Sequence, residues 1–135
     1  MVVYIFSVVN MLKRFSKLKH VGRFYDIAPG GIWFDKLTII YGPNGCGKST
    51  LVAILKSLIN GDANLVKAKK SFAVAENQQI EVHFETDRIQ NTYNFLNNKW
   101  NKINKNIIVF DDDFISNNIY SSDLVADKNK ANLHR

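Results

Sequence analysis

The run Gly42-Pro43-Asn44-Gly45-Cys46-Gly47-Lys48-Ser49 constrains this 135-residue chain more than any other feature. It satisfies the pattern G-x-x-x-x-G-K-[ST] in full. Ahead of it lies "KLTIIY" (36–41), a short apolar, β-branched run that reads as a buried strand. Behind it, Leu51, Ile54, Leu55 and Leu58 recur at helical spacing until Asn60-Gly61 stops the pattern. Strand, glycine loop and helix in that order predict a loop that grips phosphate. Glycine lets the backbone curl so that successive N–H groups point inward around an anion. The helix then begins at the anion, and its dipole adds favourable potential. On this reading Gly42, Pro43, Asn44, Gly45, Cys46 and Gly47 form the cradle. Lys48 reaches the β- and γ-phosphates of ATP, the Ser49 hydroxyl ligates Mg²⁺, and Thr50 starts the helix near the α-phosphate. The plain alternative is a glycine turn followed by a chance Lys-Ser pair.

Composition narrows the class. The length suits one domain with one core. A hydrophobic fraction of 46% with 22% charged residues excludes a disordered chain. The net charge is +6, with Lys and Arg gathered in "KRFSKLKHVGR" (13–23) and "KAKK" (67–70). Such a balance favours anionic partners, whether nucleotide, nucleic acid or an acidic surface, unless these are solvated lysines on surface faces. Cys46 is the single cysteine, which excludes an internal disulfide and suits a reducing cytoplasm. Its place in the loop beside positive charge admits a redox role; otherwise it supplies only a backbone N–H. The apolar start "MVVYIFSVV" is shorter than the roughly 20 residues a bilayer span needs, and it lacks the features of a signal peptide. No membrane partner is expected. Met11 opens a more ordinary start, so residues 1–10 read as an N-terminal extension, with an edge strand as the alternative.

No internal repeat is visible. Pro29-Gly30-Gly31 marks a turn. "QIEVHF" (79–84) and "RIQNTYNFL" (88–96) alternate apolar and polar residues around "ETD" and predict a hairpin. "NKINKN" (101–106) reads as a polar loop, "IIVF" (107–110) as a second buried strand, and 121–135 as a frayed polar tail. Four apolar residues followed by Asp111 also look like a Walker B strand that would help hold Mg²⁺. The competing reading is a strand that ends in a solvated acidic turn.

"IIYGPNGCGKSTL" together with "VFDDDFISNNI" resembles the N-terminal part of the ABC-type ATPase domains of bacterial anticodon nucleases and their SMC-like relatives. The opening from Met11 is similar to the start of that family, where a strand leads into Gly-x-Phe, here Gly22-Arg23-Phe24. The resemblance covers about residues 11–120. It implies that the segment Val109 to Phe114 lies upstream of a helical insertion, with the true Walker B much later. Asp113 and Phe114 fit that pattern. The family often has Asn at the position of Asp111, which argues against a magnesium role for it.

The resemblance also defines what is missing. An ABC-type head needs a Ser-Gly-Gly signature loop, yet the adjacent glycines Gly30-Gly31 precede the P-loop. It needs a Walker B Asp followed by Glu, yet Glu76, Glu81 and Glu85 follow no Asp. His20, His83 and His134 read as surface or strand residues, so no catalytic residue is assigned. The expected fold is therefore α/β, the N-terminal lobe of an ABC-ATPase-like P-loop NTPase. Its P-loop strand and helix lie beside an antiparallel β region, and apolar surface stays uncovered. The implied function is ATP binding as the N-terminal piece (11–120) of an ATPase that acts on nucleic acid, in tRNA cleavage or phage defence. Its implied partners are a missing C-terminal half or a second ATPase head. The alternative is a small complete P-loop kinase or NTPase that uses Asp111 for magnesium. No Asn-Lys-x-Asp guanine motif occurs, and Arg88 alone is available as a lid arginine. A nucleic-acid-binding module is a third reading, without a recognised motif.

Overall fold

The computed structural model describes residues 2–6 and 10–120; the expected tail and His134 lie outside the described residues. Four strands come first: β1 (Val3–Phe6), β2 (Asn10–Val21), β3 (Phe24–Ile27) and β4 (Leu37–Ile40). Two helices follow, α1 (Lys48–Asn60) and α2 (Ala63–Lys67). Then come β5 (Gln79–Thr86), β6 (Ile89–Leu96), β7 (Lys99–Trp100) and the short helix α3 (Asp112–Ile115), which runs into a π-helical turn at Ser116–Tyr120. One sheet has the order β3-β2-β5-β6-β7 with every pairing antiparallel. A separate two-stranded ribbon joins β1 to β4 in the register Val3↔Ile40 to Phe6↔Leu37. Residues 3–6 thus form an edge strand.

β2 carries the apolar residues Leu12, Phe15, Leu18 and Val21, three apart, and all four are buried. A regular strand turns successive residues to opposite faces and would bury every second one. Two register shifts against β5 resolve the conflict as far as Leu18, and the positive φ of His20 (57°) interrupts the pleat before Val21. The pairings Leu12↔Phe84, Arg14↔His83, Phe15↔Val82, Lys17↔Glu81 and Leu18↔Ile80 leave Lys13 and Ser16 as extra residues. Each bulge resets the pleat by one position, so the apolar side chains return to the same face.

That face joins Ile80, Val82 and Phe84 of β5, Phe95 of β6 and Trp100 of β7, and α1 covers it with Ile54, Leu55 and Leu58. Phe95 and Trp100 meet edge to face, with ring centroids 5.3 Å apart. The Trp100 indole N–H donates to Ser57 Oγ (2.9 Å), and the Ser57 hydroxyl donates to the Asp62 carbonyl (2.7 Å). The predicted helix and hairpin are both present. α1 ends at Gly61, whose N–H caps the Ser57 carbonyl, and Asp87-Arg88 form the β5–β6 turn with positive φ.

Two expectations need correction. The strand before the loop is not buried on both faces. Thr38 and Ile40 are half-buried, whereas Leu37, Ile39 and Tyr41 on the opposite face are 59%, 58% and 85% exposed. β4 has only β1 beside it among the described residues, and nothing there covers its second face. Residues 107–110 form no strand either. Ile107 and Val109 pack against the core, while Ile108 and Phe110 are 81% and 68% exposed. The segment lacks a neighbouring described strand to take its backbone hydrogen bonds, so its alternation survives without a ladder.

Candidate phosphate-binding loop

The loop links β4 to α1, and its last residue, Gly47, is the N-cap with φ 110°. A side chain there would be strained, and its first carbon would lie 2.6 Å from the Phe24 ring. Thr50 N–H and Leu51 N–H both bond to the Gly47 carbonyl, at 3.0 and 3.1 Å. Gly47 has no side chain to accept from the first turn, and that turn contains no acidic residue. The free N–H groups and the positive end of the dipole therefore face the loop uncompensated.

Into this region the sequence places a cation. Lys48 is 6% exposed. Its ammonium donates to the carbonyls of Gly42 and Pro43 (3.1 Å for Pro43) and lies 3.8 Å from Cys46 Sγ. Every one of these partners is neutral, and no carboxylate pairs with Lys48 among the described residues. A buried ammonium at the positive end of a helix is electrostatically incomplete without an anion. Pro43, Asn44, Gly45, Cys46 and Ser49 are exposed at the loop surface. The Thr50 side chain is buried, with its hydroxyl against Gly22.

The acidic segment lies elsewhere. Asp111 caps α3, its Oδ1 accepting the Phe114 N–H at 3.0 Å, and its other oxygen pairs with Lys56. Asp113 meets the same ammonium at 2.8 Å. Lys56 sits seven residues beyond Ser49 on α1, which is about 10 Å of helix. Burial pushes the Asp111 carboxyl up, but the Lys56 ammonium and the Phe114 amide outweigh it and hold it below the ordinary carboxylate range. Its hydrogen bonds to Asp111 and then Asp113 raise Lys56 above its ordinary value.

A second polar cluster sits on the sheet face away from α1. Arg14 Nε and Gln90 Nε2 lie 3.2 and 3.1 Å from His83 Nδ1, while Ser16 Oγ (3.1 Å) and Glu81 Oε1 (2.7 Å) both meet Nε2. A nucleophilic triad needs its hydroxyl and carboxylate on opposite ring nitrogens. Here they share one, so the cluster ties β2, β5 and β6 together and does not activate Ser16. The Ser16 hydroxyl, donating to Glu81, is the main cause that lowers the Glu81 carboxyl. The basic residues of β2 are also engaged: Lys13 with Glu85 (4.0 Å), Lys17 with Gln79 (2.5 Å) and Lys19 with Asp26 (3.7 Å). Among the described residues, no group of three or more His, Cys, Asp or Glu side chains could hold a metal. No helix there is long and apolar enough to cross a membrane.

Sequence reasoning missed how the Gly-x-Phe segment is used. The turn at Gly22-Arg23 and the Phe24 ring press directly on the glycine loop; the one available signal was the segment's resemblance to the family start.

An α/β unit that runs strand, glycine loop, helix, with Gly47-Lys48-Ser49 at the helix start, has the class features of a P-loop ATPase-like domain. A family model described as "AAA domain" matches residues 20–130, and the chain belongs to that family of nucleotide-binding, ATPase-like domains. No curated protein and no solved structure matches the chain.

Proposed function

We propose that the chain binds a nucleoside triphosphate, ATP, through Gly42 to Thr50, as the N-terminal part of an ABC- or SMC-like ATPase. The observation that carries this is Lys48: a buried ammonium at a helix N-terminus, held by neutral acceptors alone. A phosphate supplies the missing negative charge and accepts from the uncapped N–H groups. The donor set also fits Mg²⁺. That ion keeps several waters and is commonly held by one or two protein groups plus substrate phosphates, which here leaves Ser49 as the protein ligand. When bound, it neutralises phosphate charge. The work of this chain's own residues is to bind and orient the phosphates. The larger ATPase would act on nucleic acid, in tRNA cleavage or phage defence, with a second head or a C-terminal half as partner; the resemblance of "VFDDDFISNNI" supports that reading. The Lys56 pairing of Asp111 weighs against the alternative of a small complete enzyme that uses Asp111 for magnesium.

Titration of fluorescently labelled ATP into wild type and Lys48→Ala tests the proposal. Loss of a charge-assisted contact costs about 1.5–3 kcal/mol, roughly ten- to hundred-fold in affinity. Equal affinities would remove the reading.

A further inference from the structure

The β2–β3 turn is fixed from outside the hairpin. The Gly22 N–H donates to the Lys69 carbonyl at 2.5 Å, and the Ser71 hydroxyl donates to the Gly22 carbonyl at 2.8 Å. With the turn held there, three successive residues meet the glycine loop. Gly22 lies against the Thr50 hydroxyl, so closely that a side chain at Gly22 would collide with it. The Phe24 ring lies over Gly47. Between them Arg23 places Nη2 3.7 Å from the point where a side chain on Gly45 would begin. Arg23 is exposed, and no acceptor or carboxylate engages its guanidinium among the described residues. The loop is thus flanked by two cations: Lys48 at the Gly42–Pro43 end and Arg23 at the Gly45 end.

We infer that Arg23 is a second phosphate-binding cation, supplied by the β2–β3 turn, which contacts the diphosphate that ADP and ATP share. The inference rests on the nucleotide-binding reading above. A guanidinium offers paired N–H donors to phosphate oxygens, and a turn already fixed in place loses little freedom when it engages them. Lys48 reaches toward the terminal phosphates from the opposite end, which leaves the diphosphate to Arg23.

Labelled ADP and ATP, each with Mg²⁺, are titrated into wild type, Arg23→Gln, Arg23→Lys, Lys48→Ala and Arg88→Gln. Arg88 lies in the distant β5–β6 turn and controls for net charge. Arg23→Gln is expected to weaken both nucleotides by about tenfold, and less at high salt because the group is exposed. Arg23→Lys should fall between it and wild type, and Arg88→Gln should stay within twofold of wild type. If wild type binds, Lys48→Ala fails and Arg23→Gln equals wild type, this inference alone is overturned. A loss for ATP with none for ADP also overturns it, because the contact would then be to the terminal phosphate. If wild type binds neither nucleotide, both this inference and the nucleotide-binding reading fall.

Discussion

Replacing Asp111 separates a structural carboxylate from a magnesium ligand. Its Oδ1 caps α3 through the Phe114 N–H, and its other oxygen pairs with Lys56. The two side chains are 15% and 26% exposed, so the pair belongs at the upper end of the range for surface ion pairs. That sets its worth at about 1 kcal/mol. Asn serves as an N-cap about as well as Asp, so Asp111→Asn loses the ion pair and keeps the cap. Asp113 still holds Lys56 at 2.8 Å and limits the loss. Asp111→Ala removes the cap as well, for a further ~1 kcal/mol. The expected order of urea midpoints is wild type, then Asp111→Asn, then Asp111→Ala, with steps of about 1 kcal/mol at constant m-value. Mg²⁺-dependent ATP affinity should remain within twofold in both variants. The opposite pattern would refute the reasoning: unchanged urea midpoints, with Asp111→Asn losing Mg²⁺-dependent affinity as severely as Ser49→Ala.

The same pair sets a pH dependence. The folded-state value of Asp111 lies below its unfolded value, so its contribution is present above roughly pH 4 and is lost as pH falls through the lowered value. For Lys56 the folded-state value is raised, so its share is present below about pH 10.4 and fades above it. The stability gap between wild type and Asp111→Asn should be flat from pH 5 to 9 and shrink on the acid side in equilibrium melts; a gap that widened in acid would contradict the pairing. Gly47→Ala forces a side chain into φ 110° against the Phe24 ring, at a cost of about 1–3 kcal/mol in strain. It should therefore melt several degrees lower and lose nucleotide binding, and a melt coincident with wild type would mean the loop has another shape. Purified residues 1–135 should release phosphate from ATP at a trace rate, since no Glu follows an Asp in the chain. Loss of a general base alone costs about 10²–10⁴ in rate. Lys48-dependent turnover on the order of 1 s⁻¹ would favour a small complete enzyme.

The parts of the fold legible in the sequence are those whose signals are local. α1 announced itself by its apolar spacing and Gly61, and β5–β6 by alternation around a turn. The Asn97-Asn98 turn into β7 is equally local, since both residues adopt the positive φ that Asn tolerates, but a two-residue strand leaves no alternation to read. What sequence could not supply was set by partners distant in the chain. Leu12, Phe15, Leu18 and Val21 have a helical period, and pairing with β5, with bulges at Lys13 and Ser16, makes the first three a strand face, while Val21 follows the positive φ of His20. Ile107 to Phe110 has the composition of a strand but no described neighbour to pair with. The loop motif was plain, whereas the placement of Arg23 beside Gly45 depends on a turn held by Lys69 and Ser71.

β2 and β5 pair between residues sixty or more positions apart, from Lys19↔Gln79 to Asn10↔Thr86, and the whole glycine loop and α1 lie between them. Joining the ends of such a stretch costs about 3–4 kcal/mol in the length-dependent entropy alone. The ribosome makes the loop and helix well before it makes the strand that closes the sheet. A nascent chain therefore carries the Gly-Lys-Ser sequence before it carries Lys69 and Ser71, which hold the turn that bears Arg23, and longer still before β5, which closes the sheet carrying that turn. Nucleotide capture is expected to appear late and abruptly during synthesis, once β5 has emerged. Chains arrested before and after residue 86 would differ sharply in ATP retention, and equal retention would mean that the loop is shaped without the sheet.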